Sequence, residues 1–73
     1  MQTKNESELQ TELNQLIERA GGDLRASELI AAECFGIAPD RSTIGKMRRG
    51  EGKLTLKALT VYALKNAIKN RNI

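Results

Sequence analysis

Glycine divides this chain. Gly21-Gly22, Gly36 and the Gly50-Glu51-Gly52 run separate four segments whose apolar residues recur every three or four positions, and no segment alternates with the two-residue period of a strand. In the first, Leu9, Leu13, Leu16, Ile17 and Ala20 share a helical face, Ser7 offers a start cap and Gly21-Gly22 a stop, which predicts a helix from Ser7 to Ala20. The second opens at Asp23 or Ser27, either of which can cap, and carries Leu29, Ile30, Ala32, Cys34 and Phe35 before Gly36 ends it. Pro39 at a favoured first-turn position and Asp40 as a cap predict a third helix from Asp40 to Arg49. Thr55 caps a fourth, which runs to about Asn70. Residues 1–6 are expected to be disordered and 70–73 to form a frayed tail. With no repeat, linker or low-complexity tract, residues 1–73 read as a single domain.

A chain of 73 residues buries only about 60% of its unfolded surface, so its core is thin. Phe35 and Tyr62 are its only aromatics, which leaves the packing to Leu, Ile and Ala and makes a partner subunit a natural supplement. Cys34 has no second cysteine to bridge, and it reads as a small buried hydrophobe rather than a redox centre. Without histidine the chain lacks the commonest general base and any zinc-ligand cluster. No catalytic residue, metal or cofactor is therefore expected. The first residues, MQTKNESE, hold no apolar run of the signal-peptide kind, and the longest such runs are four residues, as at Leu29 to Ala32. A cytoplasmic protein with no membrane partner is the expectation.

The formal charge of +3 conceals an asymmetry. Residues 1–40 carry three cations against eight carboxylates, a net −5, whereas residues 41–73 carry nine cations against Glu51 alone, a net +8. Such a split suggests one face for a polyanion and another kept away from it, without distinguishing nucleic acid from an acidic protein or a membrane surface. Within the basic half, Arg41 to Gly50 reads RSTIGKMRRG. As a helix it turns Ile44 and Met47 inward and leaves Arg41, Ser42, Gly45, Lys46 and Arg49 outward or sideways. An ordinary solvated helix shows the same pattern, so the surrounding sequence decides.

The segment AAECFGI followed by STIGKMRRGEGKLTLKALTVYAL resembles the lambda-repressor-like helix-turn-helix regulators, the group of the phage repressors and Cro proteins, over residues 27–64. In that pattern Ala32 is the small residue that lets the two motif helices approach, Gly36 takes a positive φ at the turn and Ile37 plugs the core. Ile44 and Met47 look like the inward residues of the recognition helix, and Leu56, Leu59 and Ala63 like the helix that follows. From Gly36 to Ile44 is eight residues where the family pattern has six, so the turn is lengthened. The resemblance implies an all-α, compact four-helix domain containing a helix-turn-helix, and a dimeric repressor or autoregulator of a phage, plasmid or defence operon bound to a palindromic double-stranded DNA operator.

On that footing Arg41, Ser42, Thr43 and Lys46 are the candidate base readers, with Arg41 and Lys46 directed at guanine. Arg48, Arg49 and Lys53, with Ser27 and Thr55 at helix N-termini, are candidates for the phosphate backbone, although capping is the duller role for Ser27 and Thr55. Gly45, which costs a helix interior roughly 1 kcal/mol relative to alanine, makes room either for DNA or for the second helix, or is simply tolerated. On the last helix Leu56, Leu59, Ala63 and Ala67 are expected to face the core. Val61, Leu64 and Ile68 form a second stripe, either a homodimer contact or a wider wrap of the core. The competing function is a protein-interaction module, an antitoxin or polymerase-binding adaptor whose basic half grips an acidic partner.

Overall fold

The computed structural model describes residues 6–73 as four helices, α1 (Glu6–Ala20), α2 (Asp23–Glu33), α3 (Arg41–Arg48) and α4 (Leu54–Arg71), with no strand among the described residues. Residues 1–5 of the segment expected to be disordered lie outside the described residues, while Glu6 already belongs to α1. That helix buries Leu13, Ile17 and Ala20 and packs Leu9 and Leu16 at the margin. Its end is the expected glycine stop: Gly21, at φ +111°, turns the chain so that the Gly22 N–H donates to the Ile17 carbonyl at 3.0 Å.

The start of α2 corrects the sequence reading. Gly22 holds the N-cap position and no side chain caps the helix, because the Asp23 carboxylate turns to Arg48 and Ser27 lies inside the helix. Ala26, Leu29 and Ile30 are the buried face. Ala32 is exposed, so the small residue at the packed face of α2 is Ala26. The helix ends at Cys34, and Gly36 takes the expected positive φ, +84°. The lengthened turn then carries Ile37 outward, 75% exposed, instead of into the core.

Asp40 caps α3 as expected, its carboxylate accepting the Thr43 N–H at 2.8 Å, and Ile44 and Met47 face inward, but Gly45, expected outward or sideways, is buried with them. The fourth helix starts earlier than its expected cap: Lys53 is the N-cap residue, no side chain caps it, and Thr55 lies within the first turn. Nor is its end a frayed tail. The helix continues to Arg71 and closes on Asn72 in the left-handed conformation, while Asn70 and Arg71 hold Glu33 of α2 at 2.6 and 3.0 Å.

Leu13, Ile17, Ile44, Met47 and Leu64 are the largest fully buried side chains. Because α1 and α2 both pack on α4, the stripe between them is the one that turns inward. Val61, Leu64 and Ile68, set aside as a dimer face, are therefore core residues at 7%, 0% and 5% exposure. Leu59, expected inside, is 61% exposed, and Leu56 and Ala63 lie at the core's edge. Both aromatics stand outside, and Cys34 is half-buried. Among the described residues no helix is long and apolar enough to cross a membrane.

Candidate nucleic-acid interface

The cations of the basic half divide into two groups once the helices are packed. Arg48 forms a fork on Asp23, Nε to Oδ1 at 2.9 Å and Nη2 to Oδ2 at 3.0 Å, which ties the end of α3 to the start of α2. That hydrogen-bonded pair raises the Arg48 guanidinium above its ordinary value, first through the hydrogen bond and then through the opposite charge. Lys65 meets Glu12 at 2.7 Å, Arg71 meets Glu33, and Lys57 is buried. Much of the charge asymmetry thus holds the acidic and basic halves together.

Arg41, Lys46, Arg49 and Lys53 remain on α3 and the loop after it, with Lys69 apart from them near the end of α4, all five exposed. Among the described residues Arg41, Lys46 and Lys53 form no ion pair, and Arg49 has only a loose 3.7 Å contact with Glu51. Arg41, Ser42, Lys46 and Arg49 border one shallow depression with Gly45 and Asp23 at its floor. Along an α3 about 12 Å long, they form a single polar, basic strip.

The other expected site residues fall elsewhere. Thr43 is half-buried, its N–H engaged by the Asp40 cap, and it does not border the strip. Ser27 donates its only hydroxyl proton to the Pro39 carbonyl at 2.7 Å, which removes it as a donor to phosphate. Arg48 acts within the protein, through Asp23. Thr55 is exposed in the first turn of α4, next to Lys53 and the uncapped helix start. At the start of α3, the Asp40 carboxyl is lowered from its ordinary value chiefly by the Thr43 N–H, with the Lys46 charge adding a smaller pull.

Gly45 has a structural reason. A Cβ there would stand 3.2 Å from Asp23 Oδ2 and 3.4 Å from an Arg49 nitrogen, so the missing side chain gives the Asp23 carboxylate its place beneath α3. The far end of α3 is held by residues that the sequence reading passed over. Gln10 of α1 donates through Nε2 to the Met47 carbonyl at 2.7 Å and the Arg48 carbonyl at 3.2 Å, and its Oε1 accepts from Lys57 Nζ at 2.9 Å. Lys57 also donates to the Gly50 carbonyl at 3.2 Å. The Met47 carbonyl, which also accepts the Gly50 N–H at 3.0 Å, and the Arg48 carbonyl at the end of α3 are thus met from α1, with a cation close by, as the helix dipole favours.

A sequence signal for both existed. Gln10 continues the stripe of Leu13 and Ile17, and Lys57 that of Val61 and Leu64, so each is a polar residue at a core position. Comparison of the chain with family models, curated proteins and solved structures gives no match.

Proposed function

We propose that this chain is a sequence-specific double-stranded DNA-binding regulator in which α2, the long turn and α3 act as a helix-turn-helix. The observation that carries the reading is the strip of Arg41, Ser42, Lys46 and Arg49, whose cations lack strong partners while neighbouring cations are tied into the fold. In this reading α3 enters the major groove. Arg41 and Lys46 contact guanine O6 and N7, Ser42 makes a permissive base contact, and Thr43 drops out. Arg49 and Lys53 meet phosphates, joined by Thr55 and the uncapped start of α4.

The regulator acts as a homodimer, a repressor or autoregulator of a mobile-element or defence operon. Two domains of 30 × 26 × 20 Å side by side suit recognition helices about 34 Å apart on a palindromic site. The competing reading, an adaptor gripping an acidic protein, draws on the same strip and on the exposed Phe35 and Tyr62.

Selection of bound duplexes from a random pool at two salt concentrations separates the two. A regulator enriches one sequence and retains preference as salt rises; an adaptor binds all duplexes weakly and alike. On the selected site Arg41→Ala or Lys46→Ala should cost about 1 to 3 kcal/mol and relax one base position. Arg49→Ala or Lys53→Ala should weaken every duplex together and reduce the salt slope by about 0.9. A pool that yields no preferred sequence overturns the proposal.

A further inference from the structure

The chain's two aromatics are both exposed, and so are several other large apolar side chains. Phe35 is 99% exposed, and Tyr62 and Leu59 of α4 stand out beside Ile37 of the turn. Between the turn and the first half of α4 runs a groove of about 300 Å³, lined almost wholly by carbon from Ile30, Ile37, Pro39, Leu56, Tyr62 and Ala63. A cavity of about 150 Å³ already accepts a benzene ring, so the groove has room for an aromatic side chain. Phe35 does not line it; its ring projects into solvent on a residue held at φ +58°. The left-handed backbone serves the end of α2, since it lets the Gly36 N–H donate to the Ala31 carbonyl at 2.7 Å, but the ring carried at that position stays in water in a single copy.

We propose that this groove is where two copies of the chain pair, the Phe35 ring of each seated in the groove of the other. A two-fold contact sets a surface against itself, so it requires both a knob and a hole on one patch and no charge near the axis. Both conditions hold here. Cys34 to Pro39 contains no charged residue, and the only charge from Leu54 to Leu64 is Lys57, buried and turned to Gln10. A charged partner finds no counter-ion on this patch. The four exposed side chains present on the order of 600 Å², which the groove floor and rim extend toward the about 800 Å² each partner gives to a stable interface. Aromatic anchors in a desolvated pocket are the side chains that dominate such contacts. The pairing deepens the regulator reading, which calls for two copies, and it replaces the buried Val61, Leu64 and Ile68 stripe as the contact.

The test is sedimentation of the full chain without DNA, for wild type, Phe35→Asn and Leu59→Lys. Asn accepts the left-handed backbone and Leu59 is an exposed helix site, so both variants should keep the wild-type helicity spectrum. Wild type should sediment at twice the 8.1 kDa monomer mass at tens of micromolar, and each variant should associate at least about 30-fold more weakly. A wild type that stays monomeric at that concentration overturns the proposal. So does a dimer that both substitutions leave intact, which places the contact elsewhere. Phe35→Asn leaves the α3 cations untouched, so whether it still prefers the selected half-site over random duplex at low salt reports on the regulator reading separately.

Discussion

Replacing Gln10 with alanine sets two physical arguments against each other. Alanine is the better helix former, so propensity alone predicts that α1 gains slightly. The structure predicts the opposite sign. The substitution removes the donor to the Met47 carbonyl and the acceptor that Lys57 Nζ holds at 2.9 Å, leaving a lysine of 7% exposure with the Gly50 carbonyl alone. A neutral hydrogen bond contributes about 1 kcal/mol and one to a charged group about 1.5 to 3, so the loss should be about 2 to 4 kcal/mol. Against a total of roughly 4 to 11 kcal/mol for a domain of this length, that should lower the melting temperature by more than about 10 °C. Urea unfolding followed by helicity measures it, and the double-mutant cycle with Lys57→Met isolates the pair. The cycle should show a coupling of about 1 to 2 kcal/mol. A Gln10→Ala protein as stable as wild type, or a cycle additive to within about 0.5 kcal/mol, would refute the network.

Three further outcomes follow from the packing. Leu64→Ala should cost about 2 to 5 kcal/mol in the same unfolding experiment, and Leu64→Glu should lose helicity outright rather than association alone; a folded Leu64→Glu monomer would return that stripe to the surface. Gly45→Ala should bring no gain in wild type, where the new methyl meets Asp23 Oδ2 at 3.2 Å, but about 1 kcal/mol of stabilisation in an Asp23→Ala background; equal effects in both would disprove the packing role. The Asp40 cap is a carboxyl whose folded value lies below its ordinary 3.8. Its contribution is complete above that pH, falls as the pH drops below it, and is gone once the folded value is passed. The stability of wild type relative to the non-titrating Asp40→Asn should decline over that range, and a pH-independent difference would rule the effect out.

The three glycine-marked junctions were legible because a helix stop is a local matter, and Gly21, Gly36 and Gly50 each take the positive φ that the absence of a side chain permits. The α1 stripe and the inward pair Ile44 and Met47 were legible for a similar reason: each segment has only one apolar face. The fourth helix has apolar residues nearly all round, from Leu56 and Leu59 to Val61 and Ile68. Periodicity there offers two stripes, and only the placement of α1 and α2 chooses between them. The caps misled at Ser27 and Thr55 because their hydroxyls suit a helix start wherever one falls. In the candidate site, Arg41, Ser42 and Lys46 emerged from their spacing. The engagement of Arg48 by Asp23 did not, since it joins residues 25 apart.

The clasp on α3 also bears on the order in which the molecule becomes itself. Gln10 reaches a carbonyl 37 residues away, and Lys57 reaches Gln10 across 47. An eight-residue segment such as α3 is far short of the about 12 to 15 residues that sustain a helix unaided. A chain emerging during synthesis therefore carries Gln10, Arg41 and Lys46 before it carries Lys57, which holds the Gln10 side chain, and the α3 cations remain unaligned until α4 has been made and has closed on α1. The fourth helix, translated after the third, confers order on it, so no truncated product that lacks α4 should display the basic strip in its finished form.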